Sequence, residues 1–161
     1  MFRLALYQPD IPQNTGTMLR LAACLGLAVE IIEPAGFDVS DRHLRRSGLD
    51  YLDHVAITRH RSWDAFSEWR EEVGIRLVLA TTKGATTYAD FAFAPGDCLL
   101  MGRESAGVPD GVHAAADARV LVPIRPGLRS LNVAVAAGMI LGEAMRQGGA
   151  WQSSSTGMPT A

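Results

Sequence analysis

The side chains best suited to chemistry fall in two loops rich in glycine and proline. One is Gly102-Arg103-Glu104-Ser105-Ala106-Gly107-Val108-Pro109, which follows a short apolar run. It approaches the nucleophile-elbow pattern G-x-S-x-G with Ser105 at its centre, but Arg103 stands where the first glycine belongs. A serine esterase built on Ser105 would also need a histidine downstream, and only His113 follows. The other role for this loop is backbone recognition. Gly102 and Gly107 let the main chain approach a ligand closely, while Glu104 accepts hydrogen bonds or faces a reacting group. The second loop is VPIRPGLRSLN, residues 122–132. Pro123 and Pro126 remove two backbone donors and fix φ, so the preceding strand cannot continue and the loop is stiff. Ser130 or Asn132 can cap the apolar helix that follows. Free N–H groups would then stand beside a rigid loop, a setting for an anionic or polar ligand. An ordinary strand-to-helix connection is the plainer alternative.

Other chemistries lack their motifs. No G-x-G-x-x-G follows a strand and no Walker A motif exists. His43, His54, His60 and His113 show no ligand spacing and read as surface or structural residues, so no metal is expected. Cys24 and Cys98 stand alone, which argues against a zinc site or disulfide framework and fits a reducing cytosol. Both lie in apolar surroundings and read as inert buried thiols. The net charge of −2 gives no global basic field, so any RNA contact must come from local arginine clusters.

These loops need elements to position them. With 161 residues, 48% hydrophobic and 20% charged, the chain has the balance of one soluble globular domain. Apolar runs at 2–7, 28–32, 54–58, 76–81, 98–101 and 119–122 read as strands. Asn14 or Thr15 is expected to cap a first helix with Met18, Leu21, Ala22 and Leu25 at helical spacing, ended by Gly26. Ser40 starts a short basic helix ending at Gly48. Ser62 caps an amphipathic helix whose buried face is Trp63, Phe66, Trp69 and Val73. Residues 88–93 fit either a short helix or an irregular segment, and 131–147 form the last helix. Strands alternating with helices at this spacing predict an α/β fold with a mainly parallel sheet. Ligands in such sheets bind outside the carboxyl ends of the strands, so the loops after Thr81, Met101 and Val122 should converge on one site. The domain is expected to span 1–147. Residues 148–161 are polar and glycine-rich and read as a frayed tail anchored by Trp151. The N-terminus reads as a first strand rather than a signal peptide, and the 131–145 helix is too short and glycine-interrupted to span a bilayer. A cytoplasmic location follows.

Three stretches together carry a resemblance: PQNTGTMLRLAACLG at 12–26, LLMGRESAGVP at 99–109 and VPIRPGLRSLNVAVAAGMIL at 122–141. They resemble, in order and spacing, the three motifs of the SPOUT superfamily of S-adenosylmethionine-dependent methyltransferases, in its RNA ribose 2′-O-methylating (SpoU/TrmH-like) branch. Within that branch, IIEPAGFDVSDRHLRRSGLDY at 31–51 and the single-domain length resemble the tRNA wobble-nucleotide (position 34) cytidine/uridine 2′-O-methyltransferases. The resemblance implies helices on both faces of the sheet and a C-terminal deep trefoil knot, an exception to the rule that chains do not thread their own loops. It also implies a homodimer. S-adenosylmethionine would be held by Ala80, Thr81, Met101, Gly102, Val122, Ile124, Ser130 and Leu131, mostly through backbone groups, with S-adenosylhomocysteine as product. Strand core is the plain reading of Ala80, Met101 and Val122.

On the acceptor side the resemblance implies Asn14, Arg20, Glu104, Ser130 and Asn132. The ribose 2′-hydroxyl must lose its proton at or near the transition state. A guanidinium stays protonated in proteins, so Arg20 suits a phosphate contact better than a base, and proton removal falls to Glu104 or a water it orients. The partner is tRNA, with no role for DNA or a membrane. Arg42, Arg45 and Arg46 form the best basic patch, supported by Arg59, Arg61, Arg125 and Arg129; a solvated helix face is the bland alternative. No RNA-binding extension precedes the first strand, so the catalytic domain is expected to grip the tRNA across two protomers. The alternatives are 2′-O-methylation of another tRNA or rRNA nucleotide, a non-catalytic RNA-binding module, and the Ser105 esterase.

Overall fold

The runs that read as strands are apolar on both faces, and both faces are covered. The structure is a computed structural model that describes residues 1–38, 51–83 and 86–150. Its strands are β1 (Arg3–Tyr7), β2 (Ala28–Ile32), β3 (Ile57–His60), β4 (Leu77–Ala80), β5 (Thr86–Thr87), β6 (Cys98–Met101) and β7 (Ala118–Leu121). They form one sheet in the order β3-β2-β1-β6-β4-β7-β5. Every pairing is parallel. The helices are α1 (Pro12–Leu25), α2 (Trp63–Val73), α3 (Asp110–Ala115) and α4 (Val133–Gln147).

Side chains alternate across a strand, and that period of two splits the core in half. Leu4, Leu6, Val29, Ile31, Val78, Leu99, Met101 and Val120 pack with Met18, Leu19 and Ala22 of α1 and with Ile140, Leu141 and Ala144 of α4. The intervening Ala5, Tyr7, Ile32, Leu77, Leu79, Cys98 and Leu100 pack with Phe66 of α2 and Val112 of α3. Helices therefore cover both faces, as expected. Each fully buried leucine or isoleucine contributes about 1.5–3 kcal/mol. The α2 layer also holds a buried ionic cluster. Glu30, wholly buried, accepts from Arg3 Nη1 at 2.8 Å and meets His60 Nε2 at 2.8 Å.

Several local expectations are corrected. Helix α1 begins three or four residues earlier than Asn14 or Thr15 as caps would require. Ile11 holds the cap position without a side-chain bond, and Pro12 opens the helix because its fixed φ suits the first turn. Strand β3 starts at Ile57, behind a 3-10 turn at Leu52–His54, since its pairing opposite Val29–Ile32 selects the later residues. Val73 is exposed, and Arg70 is buried in its stead; its guanidinium reaches Asp117 at 2.8 Å and the Ala115 carbonyl at 3.0 Å, so the charge is satisfied inside. Residues 88–93 form a turn and irregular segment, the second of the two readings left open, after the two-residue β5, and α3 went unforeseen. Cys98 is buried, with burial pushing its thiol far up, but Cys24 is exposed on the solvent face of α1. The basic helix at 40–48, with Arg42, Arg45 and Arg46, and the tail at 151–161 lie outside the described residues. Among the described residues no helix is long and apolar enough to cross a membrane, and no cluster of His, Cys, Asp or Glu could hold a metal ion.

Candidate active site

Parallel register aligns the carboxyl ends of the central strands. Met101 pairs with Leu6 on one side and Ala80 on the other, and Ala80 pairs with Val120. The loops leaving β1, β6, β4 and β7 thus stand in a row spanning roughly 15 Å, three interstrand spacings. This register brings the loops after Thr81, Met101 and Val122, expected to converge on one site, to the same edge of the sheet. Thr81 extends it, its N–H donating to the Val120 carbonyl at 2.9 Å and its hydroxyl accepting from Lys83 N at 3.1 Å.

The β6 loop closes on itself. Arg103 and Gly107 exchange backbone hydrogen bonds of 3.0 and 2.8 Å, and Gly107 takes a left-handed φ of 65°. A Cβ at Gly102 would lie 2.9 Å from the Gly107 carbonyl carbon. Glycine at 102 is therefore required by contact with the loop's own backbone, whatever else approaches it.

This loop is clasped to the one after β1. Glu104 N donates to Asp10 Oδ1 at 3.2 Å, Asp10 N donates to Glu104 Oε2 at 3.4 Å, and the Ser105 hydroxyl donates to Asp10 Oδ2. Arg103 Nε stands 3.8 Å from Asp10 Oδ2. The hydrogen bond from Glu104, with those from Ser105 and the Glu104 backbone, holds the Asp10 carboxyl down at about 2 against some desolvation. Desolvation, then the Asp10 hydrogen bond, pushes Glu104 up. One carboxyl keeps its charge and its neighbour holds a proton more readily, the division of labour that separates acid–base partners. Sequence reasoning missed Asp10; its one signal was an acidic residue in the Pro9–Pro12 loop directly after the first strand.

Asn132 caps α4, its Oδ1 accepting from Ala134 N at 2.9 Å and Val135 N at 3.3 Å. Its Nδ2 donates to Asn14 Oδ1 at 2.9 Å, which ties the first and third motif regions together. Of the two candidate caps, Asn132 serves and Ser130 remains an exposed loop residue. Arg129 and Leu131 are exposed beside it, while Val122 and Ile124 are half-buried. Arg20 is exposed and stacks on Tyr51, its Cζ 4.7 Å from the ring centroid. Its hydrogen bond is to the Tyr51 hydroxyl, so the structure does not join it to Glu104 or Asn132. The Ser105 esterase is overturned: its hydroxyl is spent on Asp10, while His113 Nδ1 accepts from Arg119 at 3.1 Å.

The profile of the SpoU rRNA Methylase family matches residues 1–142. This chain belongs to that family. It is 69% identical over 147 residues to the tRNA (cytidine(34)-2′-O)-methyltransferase of Beijerinckia indica, covering 91% of this chain and 92% of that one. A solved structure described as giving structural insights into the 2-OH methylation of C/U34 on tRNA superposes with a TM-score of 0.85 at 42% identity, covering 91% and 95% of the two chains. The SpoU methyltransferase AviRb of Streptomyces viridochromogenes, solved with the cofactor AdoMet, superposes with a TM-score of 0.82 at 31% identity, covering 91% of this chain and 60% of that one.

Proposed function

We propose that this chain transfers a methyl group from S-adenosylmethionine to the ribose 2′-hydroxyl of the wobble nucleotide, position 34, of tRNA. The observation that carries this reading is the likeness, over nine-tenths of each chain, to proteins named for that reaction. The site fits the cofactor. Half-buried apolar side chains of Ala80, Val122 and Ile124 stand at strand ends and in the stiff 122–132 loop, the third of the loops after Thr81, Met101 and Val122, beside backbone groups of Thr81, Met101 and Gly102. At the same edge Arg103 Nε and Glu104 Oε1 are buried with no hydrogen-bond partner among the described residues. Apolar walls with a few convergent polar groups suit a ligand with a flat ring and a polar edge. These residues, with Ser130 and Leu131, would hold the cofactor, which supplies an electrophilic methyl carbon when bound.

The protein's own part is positioning and proton removal. Asn14 and Asn132, locked to each other across the α1–α4 junction, fix the third loop and present polar groups to the ribose. Glu104 accepts the hydroxyl proton, and its desolvation, which raises its pKa above that of an ordinary carboxyl, makes it a stronger base. Arg20, braced on Tyr51, binds the adjoining phosphate. Arg20→Lys should keep part of the turnover while weakening RNA binding, since lysine retains the charge but loses the planar fork. Unchanged RNA affinity with abolished turnover would sink the phosphate role.

The same reading proposes one methyltransferase domain over 1–147, a trefoil knot, a cytoplasmic setting and a homodimer. The placement of β6 between β1 and β4, and of β7 between β4 and β5, supports the knot, because later strands enter among earlier ones. Exposed Val135 and Met139 on α4, with exposed Leu131 just before its cap, give this end of α4 an apolar surface of the kind a second protomer covers. Val135→Glu should then yield monomers by sedimentation; a persistent dimer would remove this surface from the interface. The decisive test of function is methyl transfer from labelled cofactor to bulk tRNA, followed by mapping. Methylation at a nucleotide other than 34, or none, would overturn it.

A further inference from the structure

A cleft opens on the same edge of the sheet, at the carboxyl ends of β2 and β3. Its volume is about 330 Å³, and Glu33, Pro34, Phe37, Arg59 and Arg61 are among its lining residues. That lies at the small end of the roughly 300–1,000 Å³ typical of ligand pockets. Its chemistry is mixed. Phe37 brings an aromatic ring, and exposed Arg61 a cation at the rim. The Glu33 carboxylate is held in place by Arg59, whose Nε donates to Glu33 Oε1 at 2.8 Å, and Asp38 also faces the space.

The combination discriminates among ligands. Carboxylates in the lining oppose a bare phosphate or other small anion. A nucleotide answers each feature separately: its base has a face for Phe37 and its phosphate a charge for Arg61. A carboxylate accepts from the amino groups of cytosine, adenine or guanine. Position favours the same ligand. In the strand order, β2 is two spacings from β6 and β3 is three, which puts the cleft roughly 10 to 15 Å along the edge from the Glu104 loop. An unstacked RNA strand bridges that gap with a nucleotide or two. The rim is also built onto the frame of the active site. Gly36 N donates to the Pro9 carbonyl at 2.8 Å, and a Cβ at Gly36 would lie 2.9 Å from Asp10 Cβ, the residue clasping Glu104.

We propose that this cleft is a nucleotide subsite, taking an unstacked base that flanks the methylated nucleotide against Phe37, with its phosphate on Arg61. The inference rests on the RNA methyltransferase reading and assigns that substrate a second foothold. It is tested on the full-length protein with a fluorescent RNA hairpin bearing the anticodon loop, by anisotropy over a salt series and by methyl-transfer kinetics. Phe37→Ala should weaken RNA binding about 10-fold, the scale of one lost stacking contact, and Phe37→Trp should restore it. Arg61→Ala should lower the magnitude of the salt slope by about 0.7, one single-strand phosphate contact. Affinity for S-adenosylhomocysteine should stay that of wild type in all three. Wild-type RNA affinity in folded Phe37→Ala overturns the proposal. If that variant does not fold, Arg61 is exposed and decides alone: an unchanged slope and affinity overturn it. A wild-type protein that neither binds nor methylates the hairpin defeats the methyltransferase reading, and this inference falls with it. A wild-type protein that methylates while the variants bind unchanged defeats the subsite only.

Discussion

Glu104→Gln is expected to lower kcat by about 10²–10⁴-fold, the range associated with losing a positioned general base. Glutamine nearly preserves the side chain's shape and keeps an oxygen to accept from Asp10 N, so the loop clasp should survive. Binding of S-adenosylhomocysteine should therefore match wild type, and the loss should appear in single-turnover methyl transfer. Unchanged single-turnover rates would exclude Glu104 as base. The pH profile gives a second reading. A base works only when deprotonated, so activity should rise with pH through the elevated titration of Glu104. Asp10→Asn removes the neighbouring charge and weakens the carboxyl–carboxyl hydrogen bond, both of which raise Glu104. The acid limb of kcat should then move to lower pH. A purely structural Asp10 would lower activity without moving that limb.

The largest expected loss of stability comes from the other side of the sheet. Glu30 is fully buried in β2, forms an ion pair with Arg3 and meets His60 Nε2. Glu30→Ala leaves both partners without their acceptor and a void in the α2 layer, a change of about 3–5 kcal/mol for a broken buried pair. Arg3 keeps a third of its side chain in solvent and can rehydrate, so the low end of that range is expected. Urea unfolding measures it, and a midpoint equal to wild type would show that the cluster contributes nothing. Glu30→Gln, which can still accept from Arg3, should lose less.

Much of the sheet was legible because its strands are short, apolar and bounded by glycine, proline or polar residues. Cys98–Met101 and Ala28–Ile32 coincide with their expected limits, and Gly26 and Ser62 end and begin their helices as predicted. Misreadings came where a partner distant in sequence overrules local preference. Arg70 is buried because Asp117 lies 47 residues further on, a pairing no helical periodicity contains. Asn14 looked like a cap because its type favours caps, but its amide is engaged by Asn132 across the fold. The site was legible as motifs and illegible as geometry. Spacing marked the Glu104 loop and the third loop, while the Asp10 clasp depends on two loops from strands that neighbour each other only after folding. The cleft beside Phe37 was likewise hidden, since its lining after β2 is completed by Arg59 and Arg61 from the end of β3.

The two-layered core has a spectroscopic consequence. Trp63 and Trp69 both belong to α2, ringed by Tyr7, His60, Phe66 and Arg3, on the face away from α1 and α4. Trp151 lies outside the described residues. Indole emission from α2 is therefore an optical gauge of one layer. It watches the Glu30 cluster at close range through Trp69, while Trp63 packs edge-on against Tyr7, the last residue of β1.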